Sequence, residues 1–169
     1  FVGWKPPYPL VRVSPDVLVF DRSLPQPLPR SIQTWLPGHH PPLLAVEVVS
    51  EEDWQKDYRD NPMKYEEIGV AELLVVDPDP PARPGRTRLQ LWVRDGKGRL
   101  TCQYRGPGPC PCPTLGLTWV LVNDGDVPLL RLATDAEGRA LVPTPEESEA
   151  EAQTEVARLR AELARLKGS

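Results

Sequence analysis

Twenty-two prolines in 169 residues restrict this chain more than any other feature. Each ring fixes its own φ, removes a backbone donor and steers the preceding residue away from the helical region. Much of the middle of the chain is therefore closed to long helices, and short strands joined by rigid turns are the expected result. A chain of this length supports one domain with a sizeable core plus an appendage. Its hydrophobic content of 40% and charged content of 26% are those of an ordinary soluble globular protein.

The formal net charge of -4 gives no long-range attraction for a polyanion, so any contact with nucleic acid would have to come from a local basic surface or from bound cations. Cys102, Cys110 and Cys112 cannot all pair within one chain, and Cys-Pro-Cys lacks the two-residue gap of common zinc knuckles. Cys110 and Cys112 read as two small apolar residues in a proline-rich loop, and the set fits a reduced, cytoplasmic protein. No apolar run reaches the roughly 18 residues needed to cross a bilayer, and Phe1-Val2-Gly3-Trp4-Lys5 is no secretory signal.

The first strand is expected over Leu10 to Phe20, interrupted by Ser14-Pro15-Asp16, where a bulge would re-aim Asp16. Residues 21–42 read as a connecting loop with a short helical turn around Ile32 to Leu36, and His39-His40 as solvated loop residues. The next strand, Leu43-Leu44-Ala45-Val46-Glu47-Val48-Val49, is apolar enough to be buried on both faces except for one glutamate. A carboxylate there is costly to desolvate without a cation, a proton or strong donors.

Glu51 to Ile68 is polar with aromatic punctuation; Tyr58 and Tyr65, seven residues apart, share one face if a helix is continuous there. Pro62 interrupts it, and Asn61 as N-cap with Pro62 at the first helical position gives a helix that ends at Gly69. Leu73 to Val76 is a further buried strand closed by Asp77-Pro78, so a right-handed crossover would pair it in parallel with the Glu47 strand. Arg88 to Arg94 alternates as a half-exposed strand and turns at Asp95-Gly96 into Arg99 to Tyr104. Thr118 to Val122 is one more strand, ended by Asn123-Asp124-Gly125-Asp126. Trp35, Trp54, Trp92 and Trp119 read as packing or partly exposed apolar surface, Tyr65 as core packing with a hydroxyl contact, and Asp77 as a turn residue.

Residues 1–140 thus form the core, and residues 141–169 a C-terminal helix. Thr144-Pro145-Glu146-Glu147 is a capping box with proline at the first helical position. Ala152, Val156, Leu159, Leu163 and Leu166 follow at steps of four, three, four and three, the seam of a coiled coil. Such a helix is marginal alone, so homo-oligomerisation through it or docking on the core is expected.

Asp16 and Glu47, on successive strands, make a two-carboxylate arrangement suited to Mg²⁺ or Mn²⁺. The alternatives are an Asp16 that caps a turn after Pro15 and a Glu47 held by a buried arginine or a tyrosine hydroxyl. Three blocks decide how the pair is read: Ser14-Pro15-Asp16-Val17-Leu18-Val19, Leu44 through Ser50, and Tyr65 through Pro78. In this order they resemble the Uma-two family of endonuclease-like proteins, formerly a domain of unknown function, and the tail from Leu141 into an Ala/Glu/Arg/Leu-rich helix is similar too.

The resemblance implies an α/β restriction-endonuclease-like fold of the PD-(D/E)XK type, a mixed central sheet with flanking helices. It further implies hydrolysis of DNA with Asp16 and Glu47 as metal ligands. The lysine expected two residues after Glu47 is Val49, and the position where family members often place a lysine on the following helix is Asn61. Lys64, one helical turn on, is the substitute as the electrophilic catalytic group, with Lys56 second. Members of the family usually carry a helix and further strands before the Pro-Asp strand, where this chain has a short lead-in. A catalytically inactive nuclease fold that serves as an oligomerisation or partner-binding module is the competing expectation.

Overall fold

The computed structural model describes residues 2–3, 12–50, 54–78, 80 and 85–167. In chain order the strands are β1 (Val2–Gly3), β2 (Arg12–Val13), β3 (Val17–Val19), β4 (Ile32–Gln33), β5 (Leu44–Val48), β6 (Glu72–Val76), β7 (Leu89–Arg94), β8 (Leu100–Gly106), β9 (Cys110–Cys112), β10 (Leu117–Asp124) and β11 (Val127–Ala133). The helices are α1 (Asn61–Ile68), preceded by a π-helical segment over Lys56–Asp60, and α2 (Pro145–Lys167).

The central sheet has the order β3-β5-β6-β7-β8. Strands β5 and β6 pair in parallel, Leu44 to Val48 against Glu72 to Val76, and every other pair in this sheet is antiparallel. The parallel pair needs a crossover, and α1 supplies it, as the alternation of strand and helix in the sequence requires. Gly69 ends α1 in the left-handed region at φ +96°, with its N–H directed at the carbonyls of Tyr65 and Glu66. A Cβ on Gly69 would also lie 3.1 Å from the Pro41 ring.

Successive β5 side chains alternate between two cores. Ala45 and Val49 pack with Leu73, Val75, Tyr58, Tyr65 and Ile68, beneath α1 and the small sheet β2-β1-β4. Leu44 and Val46 pack with Leu74, Val76, Leu89, Leu91 and the third sheet, β11-β10-β9, through Cys110, Cys112 and Trp119. The fold is thus a mixed α/β, restriction-endonuclease-like sheet covered on both faces.

Several expectations are corrected. The strand over Leu10 to Phe20 is two strands: Leu10 and Val11 lie outside the described residues, β2 joins the small sheet, and β3 joins the central one. Pro15 has no N–H to give to a ladder, so the chain changes sheets there. Ile32 and Gln33 form β4 beside β1, and only the residues after them turn. Cys110 and Cys112 are buried as small apolar residues are, but on an edge strand, with Pro111 between them facing out. His40 is buried against Phe20 in an edge-to-face contact and is not a solvated loop residue.

Asp77 is no simple turn residue. Its carboxylate accepts hydrogen bonds from Tyr58 at 2.8 Å and from Arg86 at 2.7 Å, with the Asp77 and Arg86 side chains both almost wholly buried. Tyr58 thereby fastens the helical segment to the end of β6, and its phenol is pushed up to about 12 by burial and by the Asp77 carboxylate. Glu51 to Asp53 lie outside the described residues.

The expected capping box is present at α2. Glu147 N–H donates to Thr144 Oγ1 at 3.2 Å and Thr144 N–H to Glu147 Oε2 at 2.7 Å. Arg131 on β11 holds Glu147 at 2.7 Å, but no residue of α2 is buried.

Candidate active site

The site begins with Pro62. Its missing N–H and its ring forbid a regular α-helical bond to the carbonyl four residues back, and the chain widens into a π turn just before it, closed by the Asn61 N–H on the Lys56 carbonyl. Asn61 has helical backbone angles and caps nothing, contrary to the N-cap expectation. Its side chain points into the protein instead, donating through Nδ2 to Glu47 Oε1 at 3.2 Å and to Asp57 Oδ1 at 3.0 Å.

Glu47 is 7% exposed, on the face of β5 that meets α1. Its Oε1 also accepts a 2.6 Å hydrogen bond from the Tyr65 hydroxyl, so the tyrosine contact read from sequence is made to this very carboxylate. Burial pushes the Glu47 carboxyl up to about 7; the Tyr65 bond opposes this, and the negative charges of Asp16 and Asp57 add to it. The Tyr65 phenol is itself raised by burial beside Glu47, and is neutral, a donor only.

Asp16 lies where β3 meets the end of β5. The register pairs Val17 with Val46 and Leu18 with Ala45, so one step further sets Asp16 opposite Glu47, and side-chain alternation gives it the face of Leu18, which packs on the α1-side core. Its N–H donates to the Val46 carbonyl at 3.1 Å, and its Oδ2 accepts the Val48 N–H at 2.8 Å. The carboxylate thus stands in for a backbone carbonyl where Pro15 interrupts the ladder.

Glu47, Lys56, Asn61, Lys64 and Arg12 line a cavity of about 200 Å³, with Val13 and Ser14 completing its wall. The two lysines named from sequence are therefore both beside Glu47. Lys56 lies 3.7 Å from Asp57 Oδ1, while Lys64 makes no salt bridge among the described residues. Asp16 is exposed and is not part of the cavity wall. Sequence reasoning passed over Asp57 and Arg12. Asp57 is buried and bonds the Ser50 N–H at 3.1 Å; the four-residue spacings Asp57, Asn61, Tyr65 were its available signal.

Whether these residues suit a divalent cation follows from their donors. Glu47 Oε2 and Asp16 Oδ1 receive no hydrogen bond among the described residues, and both are hard carboxylate oxygens on one face. Among the described residues no cluster of three or more His, Cys, Asp or Glu side chains is disposed to hold a metal. Two carboxylates with the remaining positions left to water are hard oxygen donors of the kind Mg²⁺ takes, so the chemistry of the donors suits that ion.

A mixed sheet with the parallel pair β5–β6, a crossover helix between them and an acid on β5 that lines a cavity with two lysines defines a restriction-endonuclease-like protein. The chain belongs to the Uma2 family, described as "Putative restriction endonuclease", whose model matches residues 2–120. No curated protein and no solved structure matches it. The family match stops within β10, leaving β11 and α2 outside it. No helix among the described residues is long and apolar enough to cross a membrane.

Proposed function

We propose that this chain is a divalent-metal-dependent endonuclease that hydrolyses DNA phosphodiester bonds at the Glu47 cavity. The observation that carries the proposal is a buried carboxylate, raised to about 7, with one oxygen fixed by Tyr65 and Asn61 and the other free in a cavity that also holds Lys56 and Lys64. Such a carboxylate gains most from a cation, which would relieve its own desolvation and the repulsion from Asp16 and Asp57 together.

Glu47 and Asp16 would hold Mg²⁺ or Mn²⁺, and the bound ion supplies a polarised phosphoryl oxygen and an acidified water. Tyr65 and Asn61 keep Glu47 Oε1 occupied, so Oε2 is the oxygen presented to the cavity. Lys64, with no carboxylate partner among the described residues, is free to pair with a phosphate oxygen and stabilise the charge that grows on it. Lys56 is held towards Asp57 and contributes mainly to the field. Arg12 at the cavity mouth adds a third cation for a neighbouring phosphate. These three cations supply the local positive surface that a chain of net charge -4 otherwise lacks.

Nicking of supercoiled plasmid in Mg²⁺ or Mn²⁺ tests the reading. Wild type is expected to convert supercoiled to open-circular DNA, and Glu47→Ala to lose that conversion while it keeps its circular dichroism spectrum. Equal conversion by both proteins would assign the cutting to a contaminant, and an inert wild type that binds neither cation would overturn the proposal.

One observation favours a second reading, a silent nuclease fold used as a binding module. Asn61 stands where the family resemblance led to the expectation of a lysine, and its amide is committed to Glu47 and Asp57. An inert wild type would leave that reading standing.

A further inference from the structure

The outward face of α2 is the largest feature the nuclease reading does not use. Over Pro145–Lys167 no side chain is buried, and Val156, Leu159, Leu163 and Leu166 are 46%, 44%, 54% and 73% exposed. Docking on its own core would have buried this seam. Arg131 grips only the first turn, through Glu147.

Set on a seven-residue repeat a to g, the seam places Val156 and Leu163 at a, and Ala152, Leu159 and Leu166 at d. Val156 at one a position, with Leu159 and Leu166 at d, is the β-branched and leucine combination that favours two strands; Leu163 at the other a position is not β-branched. The flanking charges are sorted by sign: the g positions are Glu155 and Glu162, and the e positions that follow are Arg160 and Lys167. In a parallel, in-register pair each g residue faces the e residue of the next repeat on the other helix. Glu155 would meet Arg160 and Glu162 would meet Lys167, twice over by symmetry. An antiparallel pair would set g against g and e against e, acid on acid and base on base. Within one copy Arg160 and Lys167 have no salt bridge among the described residues, whereas Arg158, on the outer side, already spans Glu155 at 2.7 Å and Glu162 at 3.5 Å.

We infer that α2 is one strand of a parallel, in-register two-stranded coiled coil formed with a second copy of this chain. The seam from Ala152 to Leu166 is only about 22 Å long, so association is reversible and concentration-dependent. A parallel pair brings the starts of both α2 helices to one end, giving a particle with two Glu47 cavities. This arrangement does not depend on whether those cavities cut DNA.

Sedimentation equilibrium of the full chain from about 1 μM to about 1 mM tests the inference. Wild type is expected to pass from monomer to dimer, and Leu159→Asp to weaken that step by about 100-fold, because it buries a carboxylate in the seam. Core integrity is checked by the fluorescence of the tryptophans. Glu155→Lys with Glu162→Lys, and Arg160→Glu with Lys167→Glu, should each dimerise about tenfold less well alone and recover when mixed, since every facing pair is again opposite in sign. Leu166→Cys should crosslink to itself on oxidation beyond the wild-type level. A monomer at every concentration, a dimer indifferent to Leu159→Asp, a higher oligomer, or crosslinking of Leu166→Cys only to Val156→Cys, the antiparallel result in which d faces a, would each overturn it.

Discussion

Tyr65 donates a 2.6 Å hydrogen bond from the middle of α1 to Oε1 of Glu47 on β5, and both residues are buried. This bond fixes one oxygen of the acid and stabilises its charged form, while burial works against that form. The properties of the site follow from that opposition.

Glu47 makes the fold pH-sensitive in a direction opposite to that of most carboxylates. Its folded value of about 7 lies above the ordinary 4.5, so the folded chain binds this proton more tightly than the unfolded one. The associated stability is full below about pH 4.5 and is lost as pH rises towards 7, a total of about 3 kcal/mol. Glu47→Gln keeps an oxygen acceptor for Tyr65 and Asn61 but carries no charge. It is expected to melt above wild type at pH 8, with the difference shrinking at pH 5; an unchanged difference between these two pH values, followed by calorimetry, would refute the linkage.

The same proton competes with a cation. Apparent Mn²⁺ affinity, read by titration calorimetry, should rise about tenfold per pH unit below pH 7 and level off above it. Asp16→Asn and Glu47→Gln should each weaken the binding, and Glu47→Gln should abolish its pH dependence. Affinity flat from pH 5 to pH 8 would remove Glu47 from the ligand set.

Tyr65→Phe deletes only the hydroxyl. Leaving Glu47 with the Asn61 bond alone should cost about 1–2 kcal/mol and move the acid still higher, since the lost bond favoured the ionised form. The midpoint of the Mn²⁺ affinity profile then shifts to higher pH. A purely structural tyrosine would lower stability without moving that midpoint.

Lys64→Ala is expected to reduce single-turnover cleavage by about 10- to 100-fold with Mn²⁺ affinity nearly unchanged, as befits a group that meets phosphate rather than metal. Lys56→Ala, which removes the ammonium beside Asp57, should affect Mn²⁺ affinity as well, because it alters the field on Glu47. If Lys64→Ala cleaves at the wild-type rate, the electrophile lies elsewhere.

Away from the cavity, Arg86→Ala leaves the Asp77 carboxylate with Tyr58 as its remaining side-chain donor among the described residues. A buried pair broken on one side costs about 3 kcal/mol, readable as a lower denaturant midpoint.

Local chemistry made a good part of this legible in the sequence. A lone acid in the apolar run of β5, the parallel strand β6 beyond a crossover helix, the β7–β8 hairpin and the capping box of α2 all depend on residues within a few positions of one another, where periodicity and turn preference operate. Asp16, Glu47 and Lys64 were picked out by pattern and resemblance together. What α1 does with Asn61, how Pro15 divides one apparent strand between two sheets, and why Asp77 and His40 are buried depended on partners far along the chain. Asn61 had the signature of a cap because the local sequence alone offers Pro62 after it. Only the packing of α1 on β5, which brings Glu47 and Asp57 within reach of its amide, turned that side chain inward, since a buried carboxylate's need for donors outweighs a cap that solvent can replace.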